Sequence, residues 1–217
     1  MSAYWQQVLQ EHWGIEASLT PLAGEYDLNF LASGGAGSGG ADYVLKVMRV
    51  GCASELVAMQ CEALAHLKAR APLLPVPESL PLPCGAPFLR VADDAGAERI
   101  VWVLQKLNGR VYAEVLPKSA PLLANLGYTL GKIDAALADF SHPALARDFK
   151  WNLMQADWIS EALDVAGSPE RQGLLTDILT AYRKIKPQAL ALPQVAIHND
   201  VNDYNILVSA TLATPPR

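Results

Sequence analysis

The chain has 217 residues, and 51% of them are hydrophobic while 18% are charged, which suits a folded core and excludes a disordered chain. Its net charge of −5 argues against a surface for nucleic acids or anionic membranes, and no stretch approaches the roughly 18 apolar residues of a membrane helix. The three cysteines, Cys52, Cys61 and Cys84, lack the spacing of a zinc site or a disulfide framework. We therefore expect a cytoplasmic protein of one large domain or two small lobes.

The first half of the chain has the pattern of a sheet with helices. Apolar residues at three- and four-residue steps predict helices over residues 4–13 and 54–70, the second with Ser54 as its N-cap. Short apolar runs bounded by turn residues predict five strands, at residues 19–22, 29–32, 43–48, 88–91 and 100–104. Prolines make residues 71–87 an extended connector.

After residue 108 the pattern becomes mainly helical. Helices are predicted over residues 122–140, 151–165 and 173–185, and β-structure returns at residues 194–197 and 206–208. The sequence therefore predicts an α+β fold with two lobes. The N-lobe, residues 1–107, is built on an antiparallel sheet, and the C-lobe, residues 108–217, is mainly helical.

The stretch from His198 to Asn205 carries the strongest chemical signal in the chain. It places Asp200 and Asn205 five residues apart on a predicted loop between two apolar segments. Phosphoryl transfer needs a carboxylate that accepts the hydroxyl proton and an oxygen ligand that holds Mg²⁺ beside the phosphates. The alternative is a polar turn in which the Asn and Asp side chains bond to the neighbouring backbone.

The pattern His-x-Asp-x-x-x-x-Asn resembles the catalytic loop of the aminoglycoside phosphotransferase and choline kinase superfamily, relatives of the protein kinases. The resemblance implies a protein-kinase-like fold with ATP and Mg²⁺ as cofactors. It implies that Asp200 is the catalytic base, that His198 braces the loop and that Asn205 is a metal ligand. The same loop, together with residues 149–153, is similar to the hydroxylysine-kinase-like branch, although Asn152 replaces an Asp there.

Two upstream residues fit the same resemblance. Lys46 lies inside a predicted strand and resembles the lysine that binds the phosphates, while Glu62 on the following helix resembles the glutamate that pairs with it. A lysine buried without an anionic partner costs several kcal/mol, so Lys46 needs such a partner. The alternatives are an edge-strand charge for Lys46 and a solvated helix position for Glu62.

The remaining nucleotide contacts are expected at two turns. The segment from Gly24 to Asn29 resembles the turn that covers the phosphates, and Gln105 and Leu107 lie where the family bonds the adenine to the backbone between the lobes. The run Gly35–Gly40 satisfies the pattern GxGxxG, but no helix follows it, which argues against a dinucleotide-binding fold. We interpret that run as the tip of a β-hairpin.

The family has a second metal-binding acid shortly after the catalytic loop, and the residues after Asn205 include no acid. We therefore expect a shortened C-lobe that self-associates, and a chain whose catalytic turnover is impaired as it stands. Three functions remain open. The first is a kinase acting on a hydroxyl of a small metabolite, such as an amino alcohol, a hydroxylated amino acid or an aminoglycoside-like compound. The second is a nucleotide-binding pseudokinase or regulatory module, and the third is a scaffold that binds no nucleotide.

Overall fold

The computed structural model describes residues 2–34 and 40–209. The chain divides into two compact units. One spans Met1–His142 and resumes at Ala196, and the other is Pro143–Val195. The boundary that the sequence suggests after residue 107 is a different division and stays a prediction.

An antiparallel sheet of six strands organises the first unit, and the sequence predicts five of them. The strands are β1 (Ser18–Leu22), β2 (Leu28–Ser33), β3 (Tyr43–Val47), β4 (Ser79–Leu80), β5 (Leu89–Ala92) and β6 (Glu98–Gln105). Their order is β1–β2–β3–β6–β4, and β5 also pairs with β6. The β4 strand lies within the connector that the prolines predict to be extended. The proposed hairpin tip falls on residues 35–39, which lie outside the described residues.

Helices pack on both faces of this sheet because side chains alternate along each strand. Helix α1 (Ser2–Trp13) buries Trp5 and Leu9 in one cluster with Leu45 and Val103 of the central strands. Helix α2 (Ser54–Arg70) buries Val57 and Cys61 in a second cluster with Ile100 and Trp102, which point to the opposite face. Both helices lie where their apolar spacing predicts them.

Helix α3 (Ala120–Leu137) follows and packs against α2. Its Leu137 forms a cluster with Leu67 of α2 and with Ala196, which lies just before the loop at residues 198–205. After the loop, a short strand β8 (Leu207–Val208) pairs with β7 (Arg110–Val111). Gly109 permits this pairing, since a Cβ there would lie 3.0 Å from the carbonyl oxygen of Val208.

Three sequence-based expectations about elements are wrong. Ala53, and not Ser54, is the N-cap of α2, and no side chain caps that helix. Residues 194–197 form no strand; Ala196 instead packs beneath α3. The segment 151–165 contains 3₁₀ turns, Leu153–Glu161 and Leu163–Ala166, in place of an α-helix.

The cause of the last difference is local hydrogen bonding by one side chain. Gln155 has non-helical backbone angles. Its Oε1 accepts from the Phe149 N–H at 2.6 Å, and its Nε2 donates to the Arg147 carbonyl at 3.2 Å. Such side-chain-to-backbone bonds compete with a regular helix.

The second unit, Pro143–Val195, is built around helix α4 (Pro169–Leu190), which covers the predicted residues 173–185. Ser168 caps it by accepting from the Arg171 N–H at 3.3 Å. Asp157 in the preceding 3₁₀ segment bonds Arg183 and Lys186 of α4 at 2.9 and 2.5 Å. Within the described ranges, no helix is both long and apolar enough to cross a lipid bilayer.

Candidate functional site

The loop from His198 to Asn205 holds the carboxylate of Asp200 in a network of amides. Asn205 Nδ2 donates to Asp200 Oδ2 at 2.7 Å and to its carbonyl oxygen at 3.0 Å. Asn202 Nδ2 donates to Asp200 Oδ1 at 2.8 Å. The structure therefore brings together the predicted base and the predicted metal ligand, and all three side chains lie on an exposed loop.

The backbone of the loop begins with a residue in the left-handed region. Asn199 has φ of 62°, a conformation that Asn tolerates better than most residues. The tight turn that results lets the Asp200 N–H donate to His198 Nδ1 at 3.3 Å. His198 thus contacts the backbone of Asp200, and its role in bracing the loop stays a prediction.

A neighbouring segment anchors the far end of the loop. Tyr112 N–H donates to the carbonyl of Ile206 at 2.9 Å, and Ala113 N–H donates to that of Asp203 at 3.0 Å. Lys118 Nζ bonds Asp203 Oδ2 at 2.6 Å and lies 4.1 Å from the centre of the Tyr112 ring. These contacts attach the loop to the chain that follows β7.

Lys46 lies in a row across the sheet, here called the lysine row, formed by Asn29, Lys46 and Trp102. Asn29 is directly opposite Lys46 and Lys46 is directly opposite Trp102, so the three side chains share one face. The Lys46 ammonium lies 5.6 Å from the centre of the Trp102 ring. Trp102 belongs to the cluster under α2, so this is the sheet face that α2 covers.

Burial lowers the pKa of Lys46, and the negative charge of Asp27 partly offsets that shift. The predicted pair with Glu62 is not formed: Glu62 is 61% exposed and its Oε1 lies 3.9 Å from His142 Nε2. The reason is helical geometry, because Val57 and Cys61 face the sheet and the next residue points about 100° away. Among the residues described, Lys46 has no carboxylate in an ion pair, and the binding role of Glu62 stays a prediction.

The structure brings Gly24 and Asn29 together at the turn between β1 and β2. A Cβ at Gly24 would lie 2.6 Å from Asn29 Nδ2 and 2.6 Å from the Asp27 carbonyl, so only glycine fits without a shift. Asn29 Oδ1 is buried and has no hydrogen-bond partner within the described part of the chain. A buried polar atom left without a partner is rare in folded proteins, which makes this position a candidate contact for a ligand.

A second row, here called the leucine row, lies beside the lysine row and consists of Leu31, Val44 and Leu104. Its members are directly opposite one another and each is only half-buried. It leads toward the predicted adenine position at Gln105 and Leu107. The N–H of Gln105 already donates to the Glu78 carbonyl at 2.8 Å, so the backbone of Leu107 is the better candidate for contact with a base.

Gln105 also lines a cleft of about 240 Å³ beside the sheet edge. Tyr43 shares this cleft and packs with the cluster on the α1 side, which is the face opposite to the lysine row. We therefore assign the cleft no part in the candidate site.

The donor set of the loop fits a metal that takes most of its ligands from elsewhere. Over residues 2–34 and 40–209, no group of three or more His, Cys, Asp or Glu side chains could hold a metal by itself. Mg²⁺ usually takes one or two protein oxygens together with substrate phosphates and water. The Asp200 carboxylate and the Asn205 amide oxygen are donors of that type.

Two residues of the loop's hydrogen-bond network, Asn202 and Lys118, are not among the site residues predicted from the sequence. Asn202 leaves a signal, since an Asn two residues after an Asp in a tight loop is typical of turns in which side chains bond the backbone. Lys118 leaves none, because its partner Asp203 is 85 residues away.

The chain is similar to known phosphotransferases. Residues 18–216 match the phosphotransferase enzyme family, APH. Hydroxylysine kinase from Bos taurus is 29% identical over 126 residues, which cover 54% of this chain and 33% of that protein. The chain thus spans about a third of the length of this curated relative.

Three solved structures share the fold. The microcompartment-associated aminopropanol kinase has a TM-score of 0.72 and 21% identity, over 96% of this chain and 65% of its own. Amicoumacin kinase, in complex with AMP-PNP, Ca²⁺ and Ami, has a TM-score of 0.58 and 17% identity, over 90% and 55%. Spectinomycin phosphotransferase, in complex with ADP and spectinomycin, has a TM-score of 0.59 and 13% identity, over 96% and 65%. With the family match over most of its length, this chain belongs to the phosphotransferase enzyme family.

Proposed function

We propose that the chain carries the nucleotide-binding sheet and the catalytic loop of an ATP-dependent small-molecule kinase. The contact between Asp200 and Asn205, at 2.7 Å, is the observation that carries the proposal. It joins a carboxylate that can accept a proton to an amide that can hold a metal, the two groups that phosphoryl transfer requires of this loop. Family membership supports the same reaction class.

In the proposed reaction, Asp200 acts as the general base. The hydroxyl oxygen of the acceptor forms a bond to the γ-phosphorus, and its proton passes to the Asp200 carboxylate. The bond between the γ-phosphorus and the bridging oxygen breaks, and ADP leaves with that electron pair. A bound Mg²⁺ would neutralise charge on the phosphates, and Asn205 is its proposed protein ligand.

The two rows of the sheet support a nucleotide on the face that α2 covers. The half-buried leucine row offers an apolar surface on which adenine can pack. The lysine row offers the Lys46 ammonium, a cation, beside the proposed phosphates. An anion near Lys46 would offset the cost of burying its ammonium, and in phosphotransfer a phosphate supplies such an anion.

The acceptor is proposed to be a small hydroxylated amine. The relatives act, by name, on hydroxylysine, aminopropanol and spectinomycin, which all carry hydroxyl groups and nitrogen. An amino alcohol, a hydroxylated amino acid or an aminoglycoside-like compound would meet this description. A cytoplasmic location and self-association of the chain stay predictions from the sequence.

A paired assay of nucleotide binding and turnover tests the proposal. ATP at 100 times its dissociation constant should stabilise the chain by about 2.7 kcal/mol in thermal unfolding. ADP release is then followed with aminopropanol, hydroxylysine and spectinomycin as acceptors. Asp200→Asn should abolish turnover and keep the thermal shift, while Asp164→Asn, the same change at an exposed position of the second unit, should alter neither.

Two outcomes would contradict the proposal. A thermal shift without turnover on any acceptor would favour a nucleotide-binding regulatory module. Neither shift nor turnover would favour a scaffold that binds no nucleotide.

A further inference from the structure

Both oxygens of the Asp200 carboxylate are occupied by amide donors from different residues. Asn202 Nδ2 donates to Oδ1 at 2.8 Å and Asn205 Nδ2 donates to Oδ2 at 2.7 Å. A carboxylate has about four acceptor positions, so two stay free for an incoming hydroxyl proton. The two donors together fix the rotation of the carboxylate about its own axis.

The amide of Asn202 is itself held from its other end. Asn202 Oδ1 accepts from the Tyr204 N–H at 2.9 Å and from the Asn205 N–H at 3.2 Å. With the oxygen committed to the turn, the NH₂ group is the end that faces Asp200. The direction of the donor is therefore set by the backbone of the loop and does not depend on a ligand.

From this geometry we propose that Asn202 is a positioning residue, which orients the Asp200 carboxylate through its side-chain amide. The inference rests on the proposed function, because it gives Asn202 a part in the reaction that Asp200 performs. Asn202 acts through Asp200 and needs no contact with the acceptor or the nucleotide. Asn205 shares the task, but its amide is also the proposed metal ligand.

The contact between Lys118 and Asp203 provides a matched control in the same loop. Lys118 Nζ bonds Asp203 Oδ2 at 2.6 Å and attaches the loop from outside. Its partner is Asp203, and no contact joins it to Asp200 in the part of the chain that the structure describes. Loss of Lys118 therefore loosens the loop without removing a donor from the carboxylate.

Three variants separate positioning from loop stability. Asn202→Asp keeps an oxygen for the Tyr204 and Asn205 N–H groups but replaces the donor that faces Asp200, and Asn202→Ala removes both functions. We expect each to lower kcat about 10- to 100-fold, the cost of a misplaced catalytic group, with the KM for ATP changed by less than about twofold. Lys118→Ala should lower Tm, and it should lower kcat less than Asn202→Asp does. Wild-type kcat in Asn202→Asp, or losses that only follow Tm in all three variants, would overturn the inference.

An NMR measurement tests the hydrogen bond between Asn202 and Asp200 directly and does not depend on turnover. In the ¹H–¹⁵N spectrum of the full chain, an Asn202 side-chain amide proton should resonate downfield because it donates to a carboxylate. Asp200→Ala should move that resonance upfield, and Lys118→Ala should leave it in place. A resonance that does not respond to Asp200→Ala would overturn the inference. If wild-type chain turns over none of the acceptors, the proposed function fails while this resonance still decides the role of Asn202.

Discussion

At the scale of single residues, burial of a charged group is most evident at Lys46. Its place in β3 follows from strand alternation, which buries Leu45 and Val47 on the α1 face and turns Lys46 to the α2 face. Burial lowers the pKa of Lys46, so the folded chain without nucleotide binds this proton more weakly than the unfolded chain does. A protonated Lys46 therefore destabilises the folded chain without nucleotide at neutral pH. This loss of stability becomes smaller as pH rises through the lowered pKa.

Lys46→Met should consequently stabilise the chain in the absence of ATP. We expect Tm to rise by about 2–4 °C at pH 7, equivalent to about 1 kcal/mol, because an apolar chain of similar length replaces a buried charge. The same variant should lose the thermal shift caused by ATP. The measurement is thermal unfolding with and without ATP.

Lys132→Met serves as the control, because Lys132 is an exposed lysine on α3. It should change neither the Tm nor the response to ATP. An unchanged ATP shift in Lys46→Met would contradict the assignment of Lys46 to the phosphates.

At the scale of secondary-structure elements, the two long helices of the first unit begin differently. Ser119 is the N-cap of α3, and its side chain accepts from the Leu122 N–H at 3.3 Å. Helix α2 begins after Ala53, with Ser54 already inside the helix. Its start is determined by packing, since Val57 and Cys61 bury against the sheet and can fix the helix without a cap.

The two serines therefore predict unequal effects of the same substitution. Ser119→Ala should destabilise the chain by about 1 kcal/mol, the usual cost of losing an N-cap. Ser54→Ala should stay within about 0.5 kcal/mol of wild type, because it removes no cap. Urea unfolding followed by circular dichroism measures both, and equal losses would show that Ser54 caps α2 in solution.

At the scale of the whole molecule, groups in both units give stability a dependence on pH. The Arg99 guanidinium and the backbone N–H groups of Ala97 and Ala95 hold the pKa of Asp93 below its usual value. Lys186 and Arg183 do the same for the pKa of Asp157 in the second unit. Carboxylates with lowered pKa stabilise the fold above about pH 4, and that stability is lost as pH falls through the lowered values.

The loss of folding stability at alkaline pH has a different origin. Burial raises the pKa of the Cys61 thiol to about 11, with a smaller contribution from the charge of Glu62. Because the pKa is raised in the folded state, the contribution is complete below about pH 8.5 and is lost as pH rises toward 11. The fold should thus be most stable between these two pH ranges.

Asp93→Asn tests whether Asp93 contributes to the loss of folding stability at acid pH. The variant should be less stable than wild type at pH 7 and should lose less Tm than wild type between pH 7 and pH 3. Asp94→Asn, the same charge change at an exposed neighbour, should reproduce the wild-type loss of Tm at acid pH. Thermal unfolding over this pH range is the measurement, and an identical loss of Tm in Asp93→Asn would exclude Asp93 as a source.

The sequence alone predicted five of the six strands of the sheet and placed Asp200 and Asn205 on one loop. Strands and helices with strong periodicity were predictable because burial on one face imposes a fixed spacing, as in β3 and α2. Asp200 and Asn205 could be paired from sequence because both lie in one short loop, where five residues of chain already keep them close. Gly24 and Asn29 are recognisable for the same reason.

Only the tertiary structure decided the contacts between residues far apart in sequence. Whether Glu62 reaches Lys46 depends on which face α2 turns to the sheet, and the burial of Val57 and Cys61 sets that rotation. The attachment of the loop through Lys118 depends on the pairing of β7 with β8, which joins segments about a hundred residues apart. The sequence pattern of a segment indicates the secondary structure that the segment prefers. The partner with which a charged side chain pairs depends on how those segments pack in the folded chain.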